Sequence, residues 1–292
     1  MTLNKNISIV LVTYNSEKII HSFLLQPQLK NNKNIFIVDN ASKDKTVEAI
    51  KELHSHVNII ISQKNIGFGS AINLALQSVT TKYALVINPD TLFSKSFFLD
   101  LGKSIQKYPY AGLIAPTTLN DCDFINLPNS EFLKPKNKNT YLSDKKANFI
   151  SGACFLIRPL LFDNKKIFDE NIFMFYEDND LSKRVSKLKL DMIILGDCFI
   201  YHKGEQSSSP SNFITALKNF HYGWSESYYI SKYNLKLISY AINFLSILNY
   251  IKRIFIYSIT FNTKRLKPCL FRLKGKINFV IGKKSQSIRE DF

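Results

Sequence analysis

Short unbroken apolar runs alternate with stretches whose apolar positions recur every three or four residues. Ile7–Val12, Ile35–Val38, Val57–Ile61 and Tyr83–Ile87 are dominated by β-branched and large apolar side chains. Such runs predict strands buried on both faces. Between them lie helical patterns. One runs from Glu17 to about Leu25, with Ser16 as N-cap and Ile19, Ile20, Phe23 and Leu24 on its apolar face; a second carries Val47, Ile50 and Leu53. A third is opened by the glycine turn Asn65-Ile66-Gly67-Phe68-Gly69. Further on, the pattern predicts a helix over Phe97–Lys107, a strand at Ala111–Ala115, a strand over Asn148–Arg158 and a helix with Leu181, Val185 and Leu188 on one side. A late strand ends at Phe199-Ile200-Tyr201-His202. The alternation predicts an α/β fold with a doubly wound, mostly parallel sheet flanked by helices.

The strands end in polar residues. Thr13-Tyr14-Asn15-Ser16 follows the first, Asp39-Asn40-Ala41-Ser42 the second and Asn88-Pro89-Asp90 the fourth. Open α/β sheets bind ligands at this carboxyl edge. A carboxylate there suits a ribose or base, amide and hydroxyl groups suit a base edge, and backbone N–H groups at a helix start suit phosphate. The candidate nucleotide cradle is therefore Thr13, Tyr14, Asn15, Asp39, Asn40, Asn65, Gly67, Asn73, Asn88 and Asp90. The glycine turn lacks GxGxxG spacing and follows the third strand, which argues against a dinucleotide Rossmann enzyme. Asp90, stiffened by Pro89, suits a divalent cation held against a diphosphate; its other reading is a cap of the next turn.

Two more sites carry chemistry. Glu177, Asp178 and Asp180 crowd one helix start after Phe175-Tyr176, where they either complement the helix dipole or supply a base that accepts a hydroxyl proton. His202, at a strand end, is a candidate metal ligand or diphosphate contact, against a structural role, with Lys203 beside it as a phosphate partner. His21, His54, His56 and His221 are read as structural or exposed.

Composition narrows the classes. Of the net charge of +16, the stretch from Lys203 to the end holds 15 Lys+Arg against 4 Asp+Glu, a net +11. Nucleic acid and an anionic membrane surface are the two partners such a tail suggests. No helix-turn-helix, RRM or zinc pattern accompanies the charge, so nucleic acid is not expected. Cys122, Cys154, Cys198 and Cys269 form no CxxC pair, which fits a reducing cytosol, and the N-terminus carries no signal-peptide core. In the tail, Leu237–Ile251 is too short to span a bilayer. Ser239, Asn243, Ser246, Tyr250 and Arg253 form a polar stripe on it, and Lys264, Arg265, Lys267, Arg272, Lys274 and Lys276 follow. Such a helix either lies in an anionic membrane interface or packs on the rest of the chain or on a second subunit in a homo-oligomer.

The segments Val12–Ser16, Val38–Ser42, Asn65–Gly69, Asn88–Asp90 and Phe175–Leu181 together resemble glycosyltransferase family 2, and within it the rhamnosyltransferase-like branch of bacterial surface polysaccharide (O-antigen or capsule) biosynthesis. The resemblance runs from about Ile7 to His202. It implies a GT-A catalytic domain over 1–205, with a nucleotide-binding half of about 1–95 and an acceptor half of about 96–205, and leaves 206–292 as a basic helical extension. It further implies a nucleotide-diphosphate sugar donor (dTDP-L-rhamnose favoured, a UDP-sugar as the other choice), Mg²⁺ or Mn²⁺, and inversion at the anomeric carbon. The acceptor is then a lipid-linked oligosaccharide, reached by a cytoplasmic protein that is peripheral on the inner membrane.

By the same resemblance, Asp39 holds the ribose or base, Thr13 and Asn15 line the base pocket, and Asp90 is the metal-binding member of a DxD-type motif. Asn88 stands where that motif has its first Asp, so metal binding rests on one carboxylate. Gly152 and Ala153 lie under the acceptor sugar. Asp178 is the base, with Glu177 and Asp180 orienting it or holding the acceptor. Residues 119 to 147 are an acceptor-side flap or a surface insertion. The alternative to an enzyme is a catalytically inactive nucleotide-sugar or glycan-binding scaffold of a polysaccharide assembly complex.

Overall fold

A computed structural model describes residues 6–30, 32–119, 143–202 and 212–285. Lys203, Cys122 and residues 120–142 of the 119–147 stretch lie outside them. The strands are β1 (Ile7–Thr13), β2 (Ile35–Asp39), β3 (Asn58–Ile61), β4 (Tyr83–Ile87), β5 (Thr91–Phe93), β6 (Leu113–Leu119), β7 (Lys145–Lys146), β8 (Cys154–Ile157) and β9 (Met192–His202). The helices are α1 (Glu17–Leu24), α2 (Thr46–Leu53), α3 (Phe68–Ser78), α4 (Phe97–Lys107), α5 (Glu177–Lys187), α6 (Asn212–Tyr233), α7 (Lys236–Ile259) and α8 (Thr263–Val280).

The chain forms two compact units. The first comprises Met1–Ile66, Ser70–Phe168 and Leu181–Ser209, the second Gly67–Gly69, Asp169–Asp180 and Pro210–Phe292. The division differs from a single boundary near residue 205, because two inner segments group with the C-terminal helices.

The first unit is built on one mixed sheet of order β3-β2-β1-β4-β8-β6-β9-β5, with β7 on β9. The strands β3, β2, β1 and β4 are mutually parallel, as is the β6–β9 pair, whereas β8 runs antiparallel to β4 and β6. Period-two alternation explains the layers. Ile7, Ile9 and Leu11 enter one apolar cluster with Ile20, Phe23, Ile50, Phe97 and Leu101 from α1, α2 and α4. Val10, also fully buried, belongs to the opposite face.

Several local expectations change. The strand expected over Asn148–Arg158 is confined to Cys154–Ile157, since Gly152 and Ala153 form a turn. The strand expected at Ala111–Ala115 starts and ends later, as β6. Leu188 lies beyond α5 and is exposed. Ser16 occupies the N-cap of α1 without capping it; its hydroxyl accepts from the Tyr14 N–H instead. Of the two readings given for His221, structural or exposed, its full burial fits the structural one.

In the second unit, α6 and α8 cross at backbone contact. A Cβ on Gly223 would land on the carbonyl oxygen of Arg272, and one on Gly275 on that of Phe220. Trp224 stacks on Tyr228 and meets Phe279 edge-on, and its indole N–H donates to the Lys283 carbonyl. Lys276 is buried whole, with Nζ 2.6 Å from Glu226; burial pulls its ammonium pKa down against that carboxylate's opposing effect. The thiols of Cys154 and Cys198 in the first unit and Cys269 in the second are all buried, and burial raises the pKa of the first two.

Candidate active site

The β1–β2 register places Thr13 opposite Asp39 at the sheet edge. The Asp39 carboxylate is buried and accepts from the Thr13 hydroxyl (3.1 Å), the Ser42 hydroxyl (2.5 Å) and the Ser42 N–H (2.9 Å). Asn15 has a positive φ of 49° and Ala41 one of 66°. The two turns hold each other: Asn15 N–H donates to Ser42 Oγ (2.9 Å), and Lys43 N–H donates to Asn15 Oδ1 (2.7 Å). Tyr14 lies between these anchors. Asn40 Nδ2 donates to Asn65 Oδ1 (2.9 Å), and Asn40 Oδ1 accepts from the Ile66 N–H (2.8 Å), tying the second strand's end to the loop before α3.

Asn73 is placed differently from the cradle expected of it. It is buried, its Nδ2 donates to the Phe168 carbonyl (2.8 Å), and its Oδ1 accepts from the Phe168 N–H (3.0 Å). Both ends of the amide clamp backbone nearly a hundred positions away, a structural role that withdraws it from the donor-contacting set.

At the end of β4, Asn88 N–H donates to the Ala153 carbonyl (2.9 Å), so the Gly152–Ala153 turn flanks the Asn88-Pro89-Asp90 segment. The chain then enters β5 at once, a strand the apolar pattern is too short to reveal. Gln26 fixes it, accepting from the Phe93 N–H (2.7 Å) and donating to the Thr91 carbonyl (3.1 Å). On the other side, β5 pairs with β9 so that Thr91 lies opposite His202. His202 Nε2 thereby comes 3.1 Å from Asp90 Oδ1 and 3.5 Å from Asn88 Nδ2. The contact to Asp90 has ion-pair distance without hydrogen-bond geometry, and Oδ1 stays buried with no hydrogen-bond donor.

That orphaned oxygen beside an imidazole nitrogen fits a divalent cation. Two neighbouring ligands of an octahedral ion, each about 2.1 Å from it, are separated by about 3.0 Å. Among the described residues no group of three or more His, Cys, Asp or Glu side chains could hold an ion. Asp90 and His202 would give such an ion two protein ligands, and the rest would have to come from a diphosphate and water.

The acidic segment belongs to the second unit. Gly67 (φ 86°) packs on Phe173 so closely that a Cβ would strike the Phe173 carbonyl. The Phe173 ring lies 4.4 Å from that of His221 on α6, and the Ser225 hydroxyl donates to the Met174 carbonyl (2.9 Å). Phe175 and Tyr176 then take consecutive left-handed conformations (φ 65° and 66°). Their rings meet Tyr222 and, for Tyr176, Tyr229 as well. Left-handed backbone is costly for aromatic residues, and this packing holds it in place as the chain turns into α5.

The three acids at that helix start are not equivalent. Asp180 is fully buried, with Oδ1 accepting from Lys232 Nζ (2.5 Å) and the Tyr233 hydroxyl (2.7 Å). Lys232 also reaches Asp169 (2.6 Å). Burial opposes ionisation of Asp169, but Lys232, the Asn171 N–H and the Tyr228 hydroxyl outweigh it and hold that carboxyl below the usual range. Glu177 has a buried Oε2 with no hydrogen-bond partner; burial, with a smaller push from Asp178, raises its carboxyl pKa to about 8. Asp178 is partly exposed, its Oδ1 accepting from the Asn179 N–H (2.9 Å).

Ser42, Gln26 and Lys232 are structural partners of the site that no motif marks. The Asp-x-x-Ser spacing of a turn is a signal for the first. The other two act on residues more than fifty positions away and leave no local trace.

The family model described as glycosyl transferase family 2 matches residues 8–164. Among curated proteins, an N-acetylglucosaminyl-diphospho-decaprenol L-rhamnosyltransferase of Mycobacterium tuberculosis is 23% identical over 262 residues, covering 74% of this chain and 85% of the relative. Among solved structures, the mannosyltransferase PcManGT from Pyrobaculum calidifontis in complex with GDP-Man and Mn²⁺ superposes with a TM-score of 0.60 at 12% identity, over 96% of this chain and 88% of that one. Staphylococcus aureus TarS 1–349 in complex with UDP gives 0.54 at 17% identity, over 80% and 68%.

Proposed function

The chain belongs to glycosyl transferase family 2, and from that premise we propose that it is an inverting transferase moving a sugar from a nucleoside-diphosphate donor to a hydroxyl of a lipid-linked glycan. The single observation that carries the reading is the Asp90–His202 pair at the sheet edge, with its buried, donorless carboxylate oxygen. The name of the mycobacterial relative joins an L-rhamnosyl group to a diphospho-decaprenol-linked sugar, which supports dTDP-L-rhamnose as first donor and a lipid-linked acceptor. UDP-sugars stand second.

In this reading Asp39, held by Thr13 and Ser42, is preorganised to accept from the nucleoside. Asp90 and His202 would hold Mg²⁺ or Mn²⁺, which when bound would supply positive charge against the departing diphosphate. Asp178 accepts the acceptor hydroxyl's proton as its oxygen bonds to the anomeric carbon and the carbon–diphosphate bond breaks, its electron pair leaving with the diphosphate. Glu177, whose carboxyl burial keeps protonated at neutral pH, donates a hydrogen bond to the acceptor. Asp180 is a positioning residue, fixing the first turn of α5 through Lys232.

A thermal-shift panel of nucleoside diphosphates and nucleotide sugars, with and without Mn²⁺ or Mg²⁺, tests the donor half. Anything bound by the folded state alone raises its stability, by about 2.7 kcal/mol at a hundredfold excess over Kd. The metal-dependent part of the shift should vanish in Asp90→Asn and shrink in His202→Ala. Asp178→Asn should keep the full shift and lose about 10²–10⁴ in kcat. Retention of turnover within a few-fold would remove Asp178 from the base role.

A further inference from the structure

The helix α7 is turned against its own amphipathicity. Ser239, Asn243 and Tyr250 are its buried residues. Asn243 Nδ2 donates to Ser231 Oγ (3.3 Å), and the Ser239 hydroxyl lies 3.3 Å from the carbonyls of Ile230 and Asn234. Ser239 and Asn243 therefore face α6 and the turn that follows it, and the Tyr250 ring lies under Lys276 of α8. The apolar residues face out: Leu237 is 83% exposed, Phe244 61%, Leu248 45%, Phe255 65% and Ile259 60%. Their spacing of seven, four, seven and four keeps them on one side of a helix of 24 residues, about 36 Å long. Monomeric soluble proteins rarely leave so continuous an apolar stripe to water.

Charge selects what covers it. Between Glu226 and Glu290 the chain has no Asp or Glu, and within that interval α7 and α8 place the exposed cations Lys252, Arg253, Lys264, Arg265 and Lys267. A second copy seated on this face would bring two acid-free, cationic surfaces together, and like-charge juxtaposition opposes association. An anionic lipid surface meets both features, because headgroups neutralise the cations while the acyl boundary takes up the apolar side chains. Lys252, one turn from both Leu248 and Phe255, is long enough to carry its ammonium from an immersed face to the headgroups. No helix among the described residues is long and apolar enough to cross a bilayer, so the mode is binding in the plane of the interface.

We propose that the outward face of α7 is a membrane-docking surface, binding an anionic bilayer through Leu237, Phe244, Leu248, Phe255 and Ile259, with Lys252 and the Lys264–Lys267 cations over the headgroups. It rests on α7 and α8 alone and requires nothing of the transferase reading, although it would bring the enzyme to the surface where a lipid-linked acceptor resides.

The test is flotation of the full chain, without donor or acceptor, on vesicles of equimolar phosphatidylglycerol and phosphatidylcholine and on vesicles of phosphatidylcholine alone. The chain should bind the anionic vesicles, bind the neutral ones at least about tenfold less, and be released by salt. Phe244→Asp/Leu248→Asp/Phe255→Asp should lower anionic-vesicle binding at least about tenfold. Because these side chains are exposed, circular dichroism should be unchanged and any nucleotide-induced thermal shift retained. Should that variant fail to fold, Lys252→Gln/Lys264→Gln/Lys267→Gln serves, with an expected loss of salt-sensitive binding. Vesicle binding unaffected by both variants overturns the proposal. So does a chain that ignores anionic vesicles yet is a dimer by light scattering, made monomeric by the triple substitution. A chain that floats with anionic vesicles but takes up no nucleotide sugar upholds the docking surface and defeats only the transferase reading.

Discussion

Glu177 carries the sharpest pH signature of any single residue at the candidate site. Its carboxyl pKa is raised from an ordinary 4.5 to about 8 by burial and, secondarily, by Asp178. Between those values the folded chain holds a proton that the unfolded chain has released, so stability is full below about pH 4.5 and is lost as pH rises through 8. Glu177→Gln keeps the neutral shape and removes the titration. It should flatten the fall of Tm between pH 6 and 9 and be the more stable protein at pH 9 by about 1–3 kcal/mol, a range discounted for the side chain's partial exposure. An unchanged slope in thermal melts would assign that proton to another group. If Glu177 also donates to the acceptor as proposed, the parent's kcat/KM declines above about pH 8 while the variant's profile stays level there.

At the scale of elements, Lys232 on α6 is the fastening of the acidic turn. It reaches Asp169 before that turn and Asp180 within α5, and removing it leaves a fully buried carboxylate without its cation. Lys232→Met should cost about 1–3 kcal/mol in urea unfolding, a range discounted for the exposure of Lys232, and Lys232→Met/Asp180→Leu should recover part of it, since replacing both partners is milder than leaving the buried carboxylate of Asp180 without its cation. This fastening was not legible in the sequence, as it joins residues 52 positions apart. The left-handed Phe175 and Tyr176 were equally hidden, because neither is the glycine that advertises such backbone. The strands β1, β2 and β4 and the helix Phe97–Lys107 were legible, since there local propensity, period and burial agree. In α7 the stripe itself was legible and its direction was not. Hydropathy says which residues share a face, whereas Ser231 and the carbonyls of Ile230 and Asn234 decide which face turns inward.

For the molecule as a whole, the sequence conveys the alternating sheet and the change of character toward the C-terminus, but not the membership of the two compact units. The segments Gly67–Gly69 and Asp169–Asp180 join the helical unit because Gly67 lies against Phe173, and Phe173, Met174, Phe175 and Tyr176 all rest on α6. Each unit has its own core and carries at least one enclosed sulfhydryl, Cys154 and Cys198 in one and Cys269 in the other. These groups can serve as built-in clocks. In a Cys122→Ser background, alkylation followed by peptide mass spectrometry reads how often each unit breathes, since a shielded sulfur reacts only during transient exposure. Cys154 pairs with Ile87, one residue before Asn88, so a nucleotide with Mn²⁺ should slow its modification strongly. Equal slowing at Cys269 would mean that the two halves open as one, and an unchanged rate there that the helical half keeps its own time.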